Sequence, residues 1–106
     1  MDKKKNKIIK YLDDFMRRVK RHINVENFIL FGSRARGHAK KNSDIDLLII
    51  SRDFEGIKFF KRSPSLYLLW KAPYDIDIIC LTPEEFAKKS KEIGIMRQAM
   101  KEGIEL

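Results

Sequence analysis

Two short apolar runs in this chain carry acid at their start. Asp44 to Ile50 reads DIDLLII, and Tyr74 to Leu81 reads YDIDIICL. Both predict strands. Residues two apart on a strand leave the same face, so Asp44 and Asp46 share one face with Leu48 and Ile50, while Ile45, Leu47 and Ile49 take the other. One face is therefore polar at its beginning and apolar further on. Asp75 and Asp77 repeat the pattern in the later run. Aspartate disfavours strands, and like charges side by side repel. A strand that begins with two carboxylates on one face calls for a cation. Hard divalent ions such as Mg²⁺ take oxygen ligands and share them with substrate phosphates.

The rest of the chain supplies helices and one more strand. Apolar residues at Ile8, Ile9, Leu12, Phe15, Met16, Val19 and Ile23 predict an amphipathic helix over residues 5–23. Asn27 to Phe31 is a short apolar run ended by Gly32, which reads as a buried strand. Residues 32–43 form a small, basic, turn-rich loop. Aromatic residues and Leu at roughly helical spacing over 54–71, interrupted by Ser63-Pro64-Ser65, predict two short helices. Thr82, Pro83 and Glu85 form an N-cap, a first-turn proline and a capping box. That helix is expected to run through Phe86 to about Glu92, with Gly94 breaking it. A last helix is expected over 95–102, with Gly103 after it. The order is α-β-β-(α)-β-α-α. It predicts an α+β, two-layer fold, a small mixed sheet with helices packed on one side.

The chain has 106 residues, a length that suits one domain spanning 1–106. With 23 Lys or Arg against 15 Asp or Glu, the formal charge is +8. That balance points loosely toward polyanions, nucleic acid or nucleotide phosphate, although a basic surface also simply keeps a small protein soluble. No apolar run is long enough to predict a membrane span, and no signal-peptide core follows the charged N-terminus. A cytoplasmic location is the expectation. Cys80 is the single cysteine, which excludes an intrachain disulfide and a Cys-rich zinc site. It is expected to be an inert core thiol. His22 and His38 lack partner spacing and are expected at the surface. Lys3-Lys4-Lys5 is expected as a solvated tail. Arg17, Arg18, Lys20 and Arg21 make a basic helix face. Trp70, Tyr67, Phe59 and Phe60 are expected mainly in the core, with a stacking surface or partner patch as the alternative.

Gly32-Ser33 directly follows the first strand. Glycine there lets the backbone approach a ligand closely, and the serine offers a hydroxyl and an N–H. If the following turn is helical, its free N–H groups make an anion site. Arg34 and Arg36 add positive charge. Each piece has a bland reading. Gly-Ser is commonly a turn, Asp44 can cap the Asn42-Ser43 loop, and Asp75 after Pro73 can be a solvated strand end. Asp46 and Asp77 are harder to dismiss, because each lies within an apolar run. Gly-Ser followed ten residues later by Asp-x-Asp should arise by chance in about one chain per thousand of this length.

With those residues in place, GSRARGHAKKNSDIDLLII resembles the GS…DxD motif of the nucleotidyltransferase superfamily related to DNA polymerase beta. More narrowly, it resembles the minimal nucleotidyltransferases (MNT) of prokaryotes. The resemblance implies a small α/β sheet, Mg²⁺, an NTP donor such as ATP, and transfer of a nucleoside monophosphate to an acceptor hydroxyl. It implies that Gly32 and Ser33 contact nucleotide phosphate and that Asp44 and Asp46 bind metal. It also implies a third carboxylate acting with the metals as general base. Asp77 fits that role best and Asp75 is the rival. Many minimal members pair with a helical HEPN-domain protein as toxin and antitoxin, with AMP transfer to a toxin tyrosine proposed for such pairs. Larger relatives carry an extra helical domain that binds the acceptor, and no such domain is visible here. Two other functions compete: a contact-only antitoxin, motivated by segment 54–71, and a nucleic-acid binder, motivated by the net charge. The acceptor, the preferred NTP and self-association stay open.

Overall fold

The computed structural model describes residues 3–31, 45–91 and 104–105. Helix α1 spans Lys3–His22. It begins two residues before the predicted start, so Lys3, Lys4 and Lys5 belong to its first turn rather than to a tail. Leu12, Phe15 and Val19 recur at three and four residues and are fully buried. Lys20, Arg21 and His22 end the helix, where cations suit the carbonyl end of the dipole. His22 is exposed, as expected.

Strands β1 (Asn27–Phe31), β2 (Ile45–Ile50) and β3 (Ile76–Leu81) follow the predicted runs. Strand β2 is central. It pairs antiparallel with β1 and parallel with β3. A 3₁₀ turn at Arg52–Phe54 and two one-turn helices, α2 (Phe59–Arg62) and α3 (Pro64–Tyr67), link β2 to β3. The predicted interruption is real. Proline cannot continue α2, but it suits the first turn of α3. Helix α4 (Pro83–Ser90) carries the full capping box, with Thr82 and Glu85 exchanging hydrogen bonds with each other's backbone N–H. It ends at Ser90, slightly before the expected Glu92. The last expected helix, over 95–102, lies outside the described residues. A two-residue strand β4 (Ile104–Glu105), which no sequence pattern announced, pairs antiparallel with β1 and gives the sheet order β3-β2-β1-β4.

The fold is thus a small mixed sheet with helices, as expected. Each face of the sheet has its own core. Ile45, Leu47 and Ile49 of β2 join Ile76, Ile78 and Cys80 of β3 and Phe28 of β1 under Leu12, Phe15 and Val19. Phe54 and Leu66 close that layer. On the other face, Leu48, Ile50 and Leu81 form a smaller cluster with Ile29, Ile79 and Phe86 of α4. The main helical layer covers one side, and α4 adds Phe86 to the other. Cys80 is buried as expected, and burial pushes its thiol up to about 12. No described helix is long and apolar enough to cross a membrane.

The aromatic segment meets its expectation of a core position only at Trp70. Trp70 is half-buried and meets Phe15 edge to face, with ring centroids 5.4 Å apart. Phe59 and Phe60 stand in solvent. The single turn of α2 buries Arg62 instead.

Candidate active site

The parallel β2–β3 register places Asp46 opposite Asp77. Neighbouring strands lie about 4.8 Å apart, so the two carboxylates leave the same face side by side. The next pairs along that face are Leu48 with Ile79 and Ile50 with Leu81. The face therefore runs from acid to oil, as the residue parity predicts. Strand β1 contributes Phe31 opposite Asp46 at the acid end. Asp46 is 1% exposed, and Asp77 is half-buried.

A carboxylate in an apolar sheet is costly to bury, and a second one in register adds repulsion. Such a pair matches the oxygen-donor chemistry of a hard divalent cation. Among the described residues, no group of three or more His, Cys, Asp or Glu is placed to hold a metal ion. Asp44, the further carboxylate of the motif, lies outside the described residues, as do Gly32, Ser33, Arg34 and Arg36. Asp75 sits before β3 and is exposed. Its carbonyl accepts a hydrogen bond from the Ile45 N–H at 3.2 Å. Its backbone thus aligns the acid ends of the two strands, whereas Asp77 stands within the paired register.

Two positioning residues escaped the sequence reading. Strand β3 is an edge of the sheet, and its outward backbone groups find side-chain partners. The Ile78 N–H, next to Asp77, donates to the Tyr67 hydroxyl at 2.9 Å. The Cys80 carbonyl accepts from Arg62 Nη1 at 3.1 Å. Arg62 also donates to the Ile57 carbonyl at 2.8 Å and forks onto Glu85, at 2.5 and 3.1 Å. Its guanidinium lies over the Phe54 and Phe59 rings. The Arg62 hydrogen bond, followed by that of Thr82, holds the Glu85 carboxyl well below the usual carboxylate range, at about 2. These contacts fix α2 and α3 along the strand that bears Asp77.

The model of the nucleotidyltransferase domain matches residues 8–74, more than half of the chain. The chain belongs to the nucleotidyltransferase domain family. A solved structure described as a "putative nucleotidyltransferase" from Sulfolobus solfataricus is similar, with a TM-score of 0.60 and 26% identity. The likeness covers 77% of this chain and 73% of that one. No protein of curated function matches the chain significantly. Membership makes the chain an enzyme of nucleotidyl transfer with a nucleotide substrate.

Proposed function

We propose that the chain transfers a nucleoside monophosphate, AMP from ATP, to a hydroxyl on a partner protein of the HEPN type, and so acts as an antitoxin. The observation that carries the reaction is the pairing of Asp46 with Asp77 at one end of the sheet. Asp44, Asp46 and Asp77 hold Mg²⁺ in this reading. Bound Mg²⁺ supplies charge neutralisation for an in-line displacement at phosphorus. Gly32 and Ser33, with Arg34 and Arg36 beside them, hold the triphosphate. Asp77 takes the proton from the acceptor hydroxyl as its oxygen bonds to the α-phosphorus. The bond to the β-phosphate bridging oxygen breaks, and pyrophosphate leaves. Asp77 is preferred to Asp75 because it shares the register with Asp46.

The test is transfer of labelled AMP to the purified partner in the presence of Mg²⁺. Wild type is expected to label the partner, and D44N, D46N and D77N are expected to lose labelling. Labelling that survives D46N and D77N would show the reading to be wrong. A second reading, neutralisation by contact alone, is favoured by the exposed aromatic segment around Phe59 and Phe60. It predicts that D46N still neutralises the partner.

A further inference from the structure

Of the six large apolar residues exposed among the described residues, five lie between Ile57 and Leu68. They are Ile57, Phe59, Phe60, Tyr67 and Leu68, with Phe60 68% and Leu68 74% exposed. Isolated exposed apolar residues are ordinary, but a concentration in twelve consecutive residues marks an interaction surface. The segment itself is charged in one sense. From Gly56 to Tyr74 there is no acidic residue, and Lys58, Lys61 and Lys71 are all exposed. Arg62, the fourth cation, is engaged by Glu85.

We propose that this surface docks a partner protein through an apolar ridge flanked by acidic side chains. The aromatic and aliphatic side chains are anchors of the kind that dominate interface energies, and the three lysines select acid at the rim. A second copy of this chain is a poor occupant. A two-fold contact sets the same patch against itself, with no acid between Gly56 and Tyr74 to meet its lysines, between molecules each carrying +8. Single-stranded nucleic acid is also less suited, because Ile57 and Leu68 offer no π-face for a base. The position gives the docking a purpose. The patch is carried by α2 and α3, which the Tyr67 hydroxyl and Arg62 fasten to the edge of β3. A partner seated there rests on the two helices fastened to the edge of the strand that bears Asp77. The inference deepens the partner-dependent reading above, and rests on it only for what the partner supplies, the acceptor.

The experiment places the photo-crosslinking residue p-benzoylphenylalanine at position 60 of the full chain in its native cell, with position 9 as the exposed apolar control. The crosslinked protein is identified by mass spectrometry, then purified and titrated against the chain by calorimetry. The expected result is an adduct from position 60 and none from position 9, to a segment whose apolar residues are flanked by Asp or Glu. F60S and L68S are then expected to weaken Kd at least about ten-fold. Joint K58E and K61E is expected to weaken binding further and flatten its salt dependence. Unchanged melting of F60S and L68S checks that they fold. An adduct to a second copy, to RNA or to a segment without acidic flanks overturns the proposal, as does no adduct or unaltered Kd in F60S and L68S. The two readings separate cleanly. Docking that survives D46N while AMP transfer is lost supports both. Transfer that persists in D46N refutes the catalytic reading and leaves docking standing. Normal partner binding by F60S and L68S refutes docking alone.

Discussion

Strand β2 presents two faces that differ by a single position. One carries Ile45, Leu47 and Ile49 into the core beneath α1, and every one is buried. The other begins with Asp46 and only then becomes Leu48 and Ile50. Both faces are inaccessible over most of their length, so burial does not separate their roles. Chemistry does. The apolar face is filled on its far side by a whole helix, Leu12, Phe15 and Val19. The mixed face gathers a smaller cluster and leaves its acid end beside Asp77. Under the proposed function, residue parity on one strand divides packing from reaction.

The largest effect expected from breaking this division is on the apolar face. Leu47→Ala removes a fully buried side chain between β1, β3 and the α1 layer. It should cost about 2–5 kcal/mol in urea unfolding, a large part of the total stability of a small domain. Asp46→Asn, one residue away, should do the reverse. It conserves volume and removes a buried charge, so its unfolding midpoint should move far less than that of L47A. Its nucleotidyl transfer should fall by about 100-fold or more, at least the loss seen when a residue supporting a metal ligand is removed. Equal loss of stability in the two variants would mean that both faces serve packing alone.

The edge of β3 sharpens the comparison with a third environment. Here backbone groups that a neighbouring strand would satisfy are met by side chains instead, an arrangement that also blunts the edge against pairing with another sheet. Arg62 is the central brace, with a side chain 6% exposed. Arg62→Lys keeps the charge but loses the planar fork that serves Ile57, Cys80 and Glu85 together. It should destabilise by about 1–3 kcal/mol, less than L47A, because buried or half-buried acceptors lose their donors while no large cavity opens. Chemical denaturation of R62K beside L47A measures the order directly.

The legible parts of this molecule are those whose logic is local. Alternation along DIDLLII and YDIDIICL gives both strands and the shared face of their acids, because strand period depends on neighbours only. The Thr82-Pro83-Glu85 cap is readable for the same reason. Which aspartate pairs with Asp46 is a matter of register between strands 31 residues apart, and residue parity treats Asp75 and Asp77 alike. The Arg62–Glu85 contact joins residues 23 positions apart and leaves no periodic trace. Phe59 and Phe60 misled by composition. Aromatic residues near helical spacing suggest a core, but Pro64 limits α2 to one turn, while Leu66 fills the core position instead. Strand β4 is two residues long and carries no pattern to read. Gly32, Ser33 and Asp44 complete the motif by sequence and lie outside the described residues.

The smallest expected effect concerns pH and tests whether the β3 brace acts apart from the acid face. Arg62 and the Thr82 backbone N–H lower the folded Glu85 carboxyl from about 4.5 to about 2. A carboxyl held below its unfolded value contributes stability that is present above about 4.5 and is lost as pH falls toward about 2. Protonation there removes the charge from the fork and weakens the capping box together. The Glu85 side chain is 41% exposed, so solvent and salt screen much of this contribution. Melting curves of wild type and E85Q should run parallel near neutral pH, with E85Q lower. They should converge below about pH 4.5, and added salt should narrow the gap. A gap that stays constant down to pH 2 would show that Glu85 contributes through packing rather than through its charge. The pH profile of nucleotidyl transfer near neutrality should be the same in both, because Glu85 is committed to bracing α4 against Arg62 rather than to the carboxylate pair.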